Sequence, residues 1–194
     1  MIKEDYFKKK IDDIISSNPD KKDELMEELI RLAPEDGLIL EFGVATGSSI
    51  NRISKATQKI VYGFDSFDGL PEDWGTFASK SSFKCSIPTV NENVELVIGL
   101  FDQVLDDFLQ KHSEPVSFCH IDSDIYSSAK YVLDKLSPRF RRGTILLFDE
   151  LANYSEYENH EYKAFIEFLA NNDGGYDIEF MGRRHTEGYG FRLV

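Results

Sequence analysis

Apolar positions along the chain follow two different rhythms, and the change falls at Leu38. Before it, Leu25, Leu29 and Leu32 share a helical face, with Pro19-Asp20 as a start signal and Pro34-Glu35-Asp36-Gly37 as a stop, so residues 1–37 read as an amphipathic helical extension. From Leu38 onward, short apolar runs of strand length alternate with segments of helical period. The runs are Leu38–Val44, Lys59–Phe64, Val94–Ile98, Val116–Ile121 and Gly143–Phe148. A helix begins near Ser48, and others cover Asp102–His112, Ser127–Leu136 and Glu158–Asn171, each with one apolar face. Strands and helices in alternation predict a parallel sheet covered on both faces.

The end of the chain breaks that alternation. Tyr176–Arg183 and Tyr189–Val194 are two strand-like runs joined through Glu187-Gly188, which reads as an antiparallel hairpin. No internal repeat interrupts the series, so residues 38–194 form one α/β domain: a doubly wound, mostly parallel sheet closed by an antiparallel hairpin strand.

At 194 residues and 41% apolar content, the chain buries one full core. Its 35 acidic against 22 basic residues leave a net charge of −13, which would repel a phosphate backbone and disfavours nucleic acid as a partner. Small molecules fit better. Two cysteines, one of them (Cys119) in an apolar run, make no disulfide framework and suit a reducing compartment. No uncharged apolar run of about 18 residues occurs, so no membrane partner is expected and a cytoplasmic location is. Arg139, Arg141 and Arg142 read as a solvated basic turn.

The chemistry sits at strand ends. The first strand runs into Glu41-Phe42-Gly43-Val44-Ala45-Thr46-Gly47-Ser48, a turn that lets backbone approach a ligand, and Ser48 opens a helix whose free N–H groups suit an anion. Its spacing fits a dinucleotide pyrophosphate fingerprint poorly. Asp65, about twenty residues on at the end of the second strand, stands where a carboxylate accepts from ribose hydroxyls. Glu41 beside the turn suits a cationic amino group better than a pyrophosphate.

Those motifs, with Tyr62-Gly-Phe-Asp-Ser-Phe-Asp-Gly-Leu-Pro-Glu-Asp-Trp74, His120-Ile-Asp-Ser-Asp-Ile-Tyr126 and Phe148-Asp-Glu150, resemble the class I S-adenosylmethionine methyltransferases. Within that class, their order is similar to the macrocin and mycinamicin sugar O-methyltransferases, from about Leu38 to the end. The resemblance implies a Rossmann-like sheet of seven strands. It implies that Gly43, Ala45 and Gly47 line the methionine part of the cofactor, Glu41 its amino end, Asp65 and Ser66 its ribose, and Gly99 to Phe101 its adenine. Ala45 stands where a glycine is commoner, which a negative φ there would accommodate.

Asp122 and Asp124 follow the fourth strand, and Asp149 and Glu150 the fifth, so four carboxylates meet above the sheet; oxygen-only ligands at that density suggest Mg²⁺. The resemblance selects Asp122, Asp149 and Glu150 as ligands, with Asp124 in reserve, although the family usually shows two aspartates where this chain has Asp149-Glu150. Asp122 is also assigned to catalysis and to the cofactor wall. His120, two residues earlier, is the candidate base, and His160 and His185 are alternatives. Segment 68–93, which holds Trp74, and the loop carrying Tyr154 and Tyr157 are candidate lids over an acceptor.

The expected activity is therefore methyl transfer from S-adenosylmethionine to a hydroxyl of a small acceptor, a sugar, polyol or phenol-like compound, with Mg²⁺ assistance. A catalytically silent binding module and a dinucleotide-dependent oxidoreductase are the alternatives. The short chain and its N-terminal helix leave room for a homodimer that completes the site.

Overall fold

A computed structural model describes residues 3–172 and 175–194. The N-terminal region is two helices rather than one: α1 (Lys3–Ser16) and α2 (Leu25–Leu32), separated where Asn18 takes a positive φ of 47° ahead of Pro19. α1 buries Phe7 and Ile11, one turn apart, against the same core as the C-terminal helix, while α2 buries Leu25, Met26, Leu29 and Ile30. Leu32, expected on that inward face, is 54% exposed. It belongs to the last turn, just before Ala33 turns the chain into extended backbone.

The remaining elements are β1 (Leu38–Phe42), α3 (Ser48–Lys55), β2 (Val61–Asp65), β3 (Val94–Ile98), α4 (Phe101–Lys111), β4 (Val116–Ile121), α5 (Tyr126–Leu136), β5 (Ile145–Phe148), α6 (Glu161–Asn171), β6 (Ile178–Arg183) and β7 (Tyr189–Leu193). They form one seven-stranded sheet in the order β3-β2-β1-β4-β5-β7-β6. The first five strands of that order are parallel. β7 is antiparallel to both of its neighbours and lies between β5 and β6, so the hairpin enters the sheet by its second strand.

Side-chain alternation along the strands assigns the two cores. Leu38, Leu40, Phe42, Leu146 and Phe148 pack toward α1, α4, α5 and α6, whereas Ile39, Phe118, Ile145 and Leu147 pack toward α2 and α3. Central strands β1, β4 and β5 are buried along their whole length, as parallel strands covered on both faces must be. Between β1 and β4 the connections diverge to opposite sides of the sheet, and the carboxyl edge at such a switch point is where open α/β sheets bind ligands.

The arginine-rich turn before β5 is more than a solvated loop. Arg141 donates two hydrogen bonds to the Asp36 carboxylate, at 2.8 and 2.6 Å, and Arg139 caps the Leu109 carbonyl at the end of α4. Cys85 and Cys119 are free thiols. Among the described residues, no helix is long and apolar enough to cross a membrane.

Candidate active site

The turn after β1 is shaped by what lies beside it. Gly43 has a φ of 95°, and a Cβ there would sit 1.7 Å from the Asp122 carbonyl oxygen, so only glycine lets the ends of β1 and β4 come this close. The neighbouring backbone is then stapled by Asp65: its Oδ2 accepts from the N–H groups of Val44 and Ala45 at 2.9 and 2.8 Å, and its Oδ1 from Phe67 N–H at 2.8 Å. Three of roughly four carboxylate lone-pair directions are thus taken by backbone. What Asp65 has left for a ribose hydroxyl is one direction, not a free carboxylate.

Ala45 departs from the expectation of a negative φ. It sits at φ 45°, in the left-handed region that costs an L-residue about 1–2 kcal/mol, and the two hydrogen bonds to Asp65 offset that strain.

One cavity of about 620 Å³ opens over this edge, within the size range of small-molecule sites. Of the residues singled out from sequence, it brings together Gly43, Ala45, Asp65, Ser66, Gly99, Phe101, Asp122, Asp149 and Glu150. Glu41, Gly47, Ser48 and His120 are not on its wall. Gly47 instead faces Pro88, at 3.1 Å from where its Cβ would be.

Glu41 and His120 lie beneath the wall, fully buried and paired across adjacent strands in register. Glu41 Oε1 meets His120 Nδ1 at 2.8 Å, and His120 Nε2 meets Asp149 Oδ1 at 3.3 Å. Burial alone would push the imidazole pKa down, but the hydrogen bonds to Asp149 and Glu41 outweigh it and hold the ring at about 10. Both ring nitrogens of His120 are thus engaged, and the buried ring meets Asp149 from beneath the cavity wall. His160 packs edge-on against Trp74, and His185 reaches Asp149 at 3.3 Å, so neither stands free over the cavity as the alternative base.

The acids meet as two overlapping groups whose ligand atoms lie within 4.8 Å of one another: His120, Asp122 and Asp149, and Asp122, Asp124 and Glu150. Asp122 is common to both, and the expected trio of Asp122, Asp149 and Glu150 is divided between them. Their protonation differs sharply. Burial, reinforced by the negative charge of Asp149, raises Asp122 well above the usual carboxylate range and Asp124 to about 7. Burial and the charges of Asp122 and Asp149 push Glu150 up to about 12. Asp149 goes the other way: burial would raise it, yet the hydrogen bonds of His120 and His185 and the charge of Arg184 keep it well below the usual range.

Glu161, at the head of α6, was invisible from sequence, where an acid in a helix's first turn is unremarkable. It is fully buried, and its Oε1 accepts from Ser123 N–H at 3.0 Å, clamping the loop between Asp122 and Asp124. Among the described residues, Glu41 Oε2, Glu150 Oε2 and Glu161 Oε2 are all buried without a hydrogen-bond partner. A donor set made of oxygens, overcharged and undersupplied with hydrogen-bond donors, fits a hard divalent cation.

The long segment between β2 and β3 folds over the cavity on its own hydrogen bonds, Leu70 N–H to Ser82 O and Trp74 N–H to Ala78 O among them. Glu72 accepts from Ser127 Oγ at 2.6 Å, latching it to α5. Trp74 and Phe83 reach the wall, and Trp74 packs edge-on against Tyr154 at 5.8 Å.

A seven-stranded sheet in this order, with its crevice between the glycine turn and the acids of β4 and β5, defines the class I S-adenosylmethionine-dependent methyltransferases. A methyltransferase domain family matches residues 40–151, and the chain belongs to that family. No curated protein sequence matches it. Among solved structures, the calicheamicin methyltransferase CalS11 is similar at 22% identity and a TM-score of 0.69, covering 86% of this chain and 76% of its own. The O-methyltransferase NovP shows 20% identity and a TM-score of 0.64 over 87% and 78% of the two chains. An O-methyltransferase from Bacillus cereus in complex with SAH shows 16% identity and a TM-score of 0.54 over 95% and 96%. These three share the fold.

Proposed function

We propose that this methyltransferase acts on a hydroxyl of a small polyhydroxylated acceptor, a sugar or polyol, with the help of Mg²⁺. The observation that carries the reading is a single cavity whose wall runs from Gly43 and Ala45, past Asp65 and Gly99, to Asp122, Asp124, Asp149 and Glu150. Its acidic end complements a positively charged donor. S-Adenosylmethionine, when bound, supplies a methyl group on a sulfonium that needs only alignment with its nucleophile. A divalent ion, held by Asp122, Asp149 and Glu150 with Asp124 alongside, supplies the charge that makes a hydroxyl easier to ionise and fixes its direction.

The chain does the rest. Asp65 and the turn it staples hold the nucleoside end, and the latched lid excludes water. Asp124 lines the cavity, and among the described residues no cationic side chain pairs with it. It takes the hydroxyl proton as the methyl passes from sulfur to oxygen. Trp74, Phe83 and Tyr131 offer flat apolar surface to the C–H face of a sugar ring. CalS11, described as a TDP-rhamnose 3′-O-methyltransferase, supports that acceptor class.

The test is titration calorimetry with S-adenosylhomocysteine, followed by methyl-transfer assays on nucleotide sugars and glycosides with and without EDTA. Binding of the nucleoside and EDTA-sensitive transfer are expected. Asp149→Ala should abolish turnover while sparing S-adenosylhomocysteine affinity; equal loss of both would move Asp149 into the cofactor pocket. A binding-only module is the competing reading, favoured by the pairing of Asp149 with Arg184, and absence of product at saturating donor across the panel would decide for it.

A further inference from the structure

The turn of the β6–β7 hairpin lies at the same carboxyl edge, beside the end of β5, and reaches the acidic crevice from there. Arg184 Nη1 lies 2.5 Å from Asp149 Oδ1, and both side chains are largely buried, 18% and 17% exposed. His185 Nε2 and His120 Nε2 approach the same oxygen, each at 3.3 Å. Three cationic or potentially cationic groups therefore converge on Oδ1.

The turn that carries Arg184 is itself anchored on two sides. Arg183, 4% exposed, donates to the His185 and Thr186 carbonyls within the turn and to Asn18 Oδ1 in the α1–α2 linker. On the other side, Leu151 N–H donates to the Glu187 carbonyl at 2.9 Å, tying the turn to the loop that follows Asp149 and Glu150. Arg184 N–H closes the turn on the Gly188 carbonyl. A guanidinium delivered by a turn pinned in this way is placed, not incidental.

We infer that Arg184 is the resident counter-ion of the acidic crevice, a positioning residue that pins Asp149 through Oδ1 and lowers the affinity of the cluster for a divalent cation. The inference rests on the metal reading above. A guanidinium within a few ångströms of a dication repels it in a medium where charge interactions are several times stronger than in water. The same guanidinium relieves repulsion among Asp122, Asp124, Asp149 and Glu150 when no ion is present.

Two measurements on the purified protein test this. In Mn²⁺ titration calorimetry, Arg184→Gln should bind Mn²⁺ more tightly, on the order of tenfold, and Arg184→Lys should stay close to the unaltered protein; unchanged or weaker binding in Arg184→Gln overturns the inference. In metal-free thermal unfolding, Arg184→Gln should lower Tm in the unaltered background but not in an Asp149→Asn background, because the charge it balances is then gone. An equal fall in both backgrounds overturns the inference, and so does failure of the double variant to fold. If the unaltered protein takes up no Mn²⁺, the metal reading fails alone and the thermal cycle still decides the role of Arg184.

Discussion

At the ends of β1 and β2, three backbone N–H groups converge on the one carboxylate of Asp65; at the ends of β4 and β5, four carboxylates gather around His120, His185 and Arg184, all three of which meet Asp149. The turn backbone of the first region is satisfied by Asp65, with only Glu41 Oε2 beneath it lacking a partner among the described residues. The second is left with unpartnered buried oxygens on Glu150 and Glu161, a cost of about 1–3 kcal/mol for each such group unless something else satisfies it. The contrast separates two tasks on one sheet edge. A turn that must present a fixed shape is completed by its own chain, whereas the cluster proposed to hold a cation is left incomplete by it.

The sharpest way to break that contrast is Gly43→Ala, since the added methyl would overlap the Asp122 carbonyl and disturb both regions together. A loss of several kcal/mol in urea unfolding is expected, on the scale of overpacking plus left-handed strain; a loss under about 1 kcal/mol would mean that the strand ends are not held together as described. Asp65→Ala comes next. It strips three N–H groups of their acceptor, and destabilisation of about 2–4 kcal/mol with at least tenfold weaker S-adenosylhomocysteine binding is expected. Weaker binding with unchanged stability would assign Asp65 to the ligand and not to the turn.

In the acidic region, adding Mg²⁺ to metal-free protein should raise Tm, by an amount equivalent to about 2.7 kcal/mol at a hundredfold excess over its Kd, and Asp122→Asn should remove that response. Ala45→Gly has a smaller effect of opposite sign: relief of left-handed strain outweighs the added chain entropy and stabilises by about 0.5 kcal/mol. Destabilisation would show that Ala45 does not hold φ 45° in solution.

Asp36 is a control far from the crevice. Its hydrogen bonds to Arg141 bring its carboxyl down to about 2. A depressed acid contributes stability above its unfolded value near 3.9 and loses it as pH falls toward 2. Asp36→Asn should therefore lower stability slightly at neutral pH, flatten the acid limb of the unfolding profile between about pH 4 and 2, and leave stability below about pH 2 unchanged.

How much of this was readable beforehand follows from which interactions are local. Strand runs such as Val116–Ile121 and Gly143–Phe148 stood out because burial on both faces leaves few polar positions, Ser117, His120 and Thr144 being the exceptions. The hairpin was legible as a hairpin. Its insertion by β7 between β5 and β6 was not, because nothing in Tyr189–Val194 records which neighbour it pairs with. The turn and Asp65 were found from spacing alone. The pairing of His120 with Glu41 was not legible, because alternation along one strand says nothing of which residue stands in register on the next. Arg184 and Glu161 act across 35 and 38 residues of sequence, from a turn and a helix start whose residue types are ordinary there.

The near-contact of Gly43 with the Asp122 carbonyl also limits how this scaffold can diversify. The glycine turn and the acidic edge meet with less than a methyl group to spare, so neither can drift without the other. New acceptor preferences have to arise in the excursion between β2 and β3 and in the loop beyond Glu150, where the chain can lengthen or change composition without disturbing that seam.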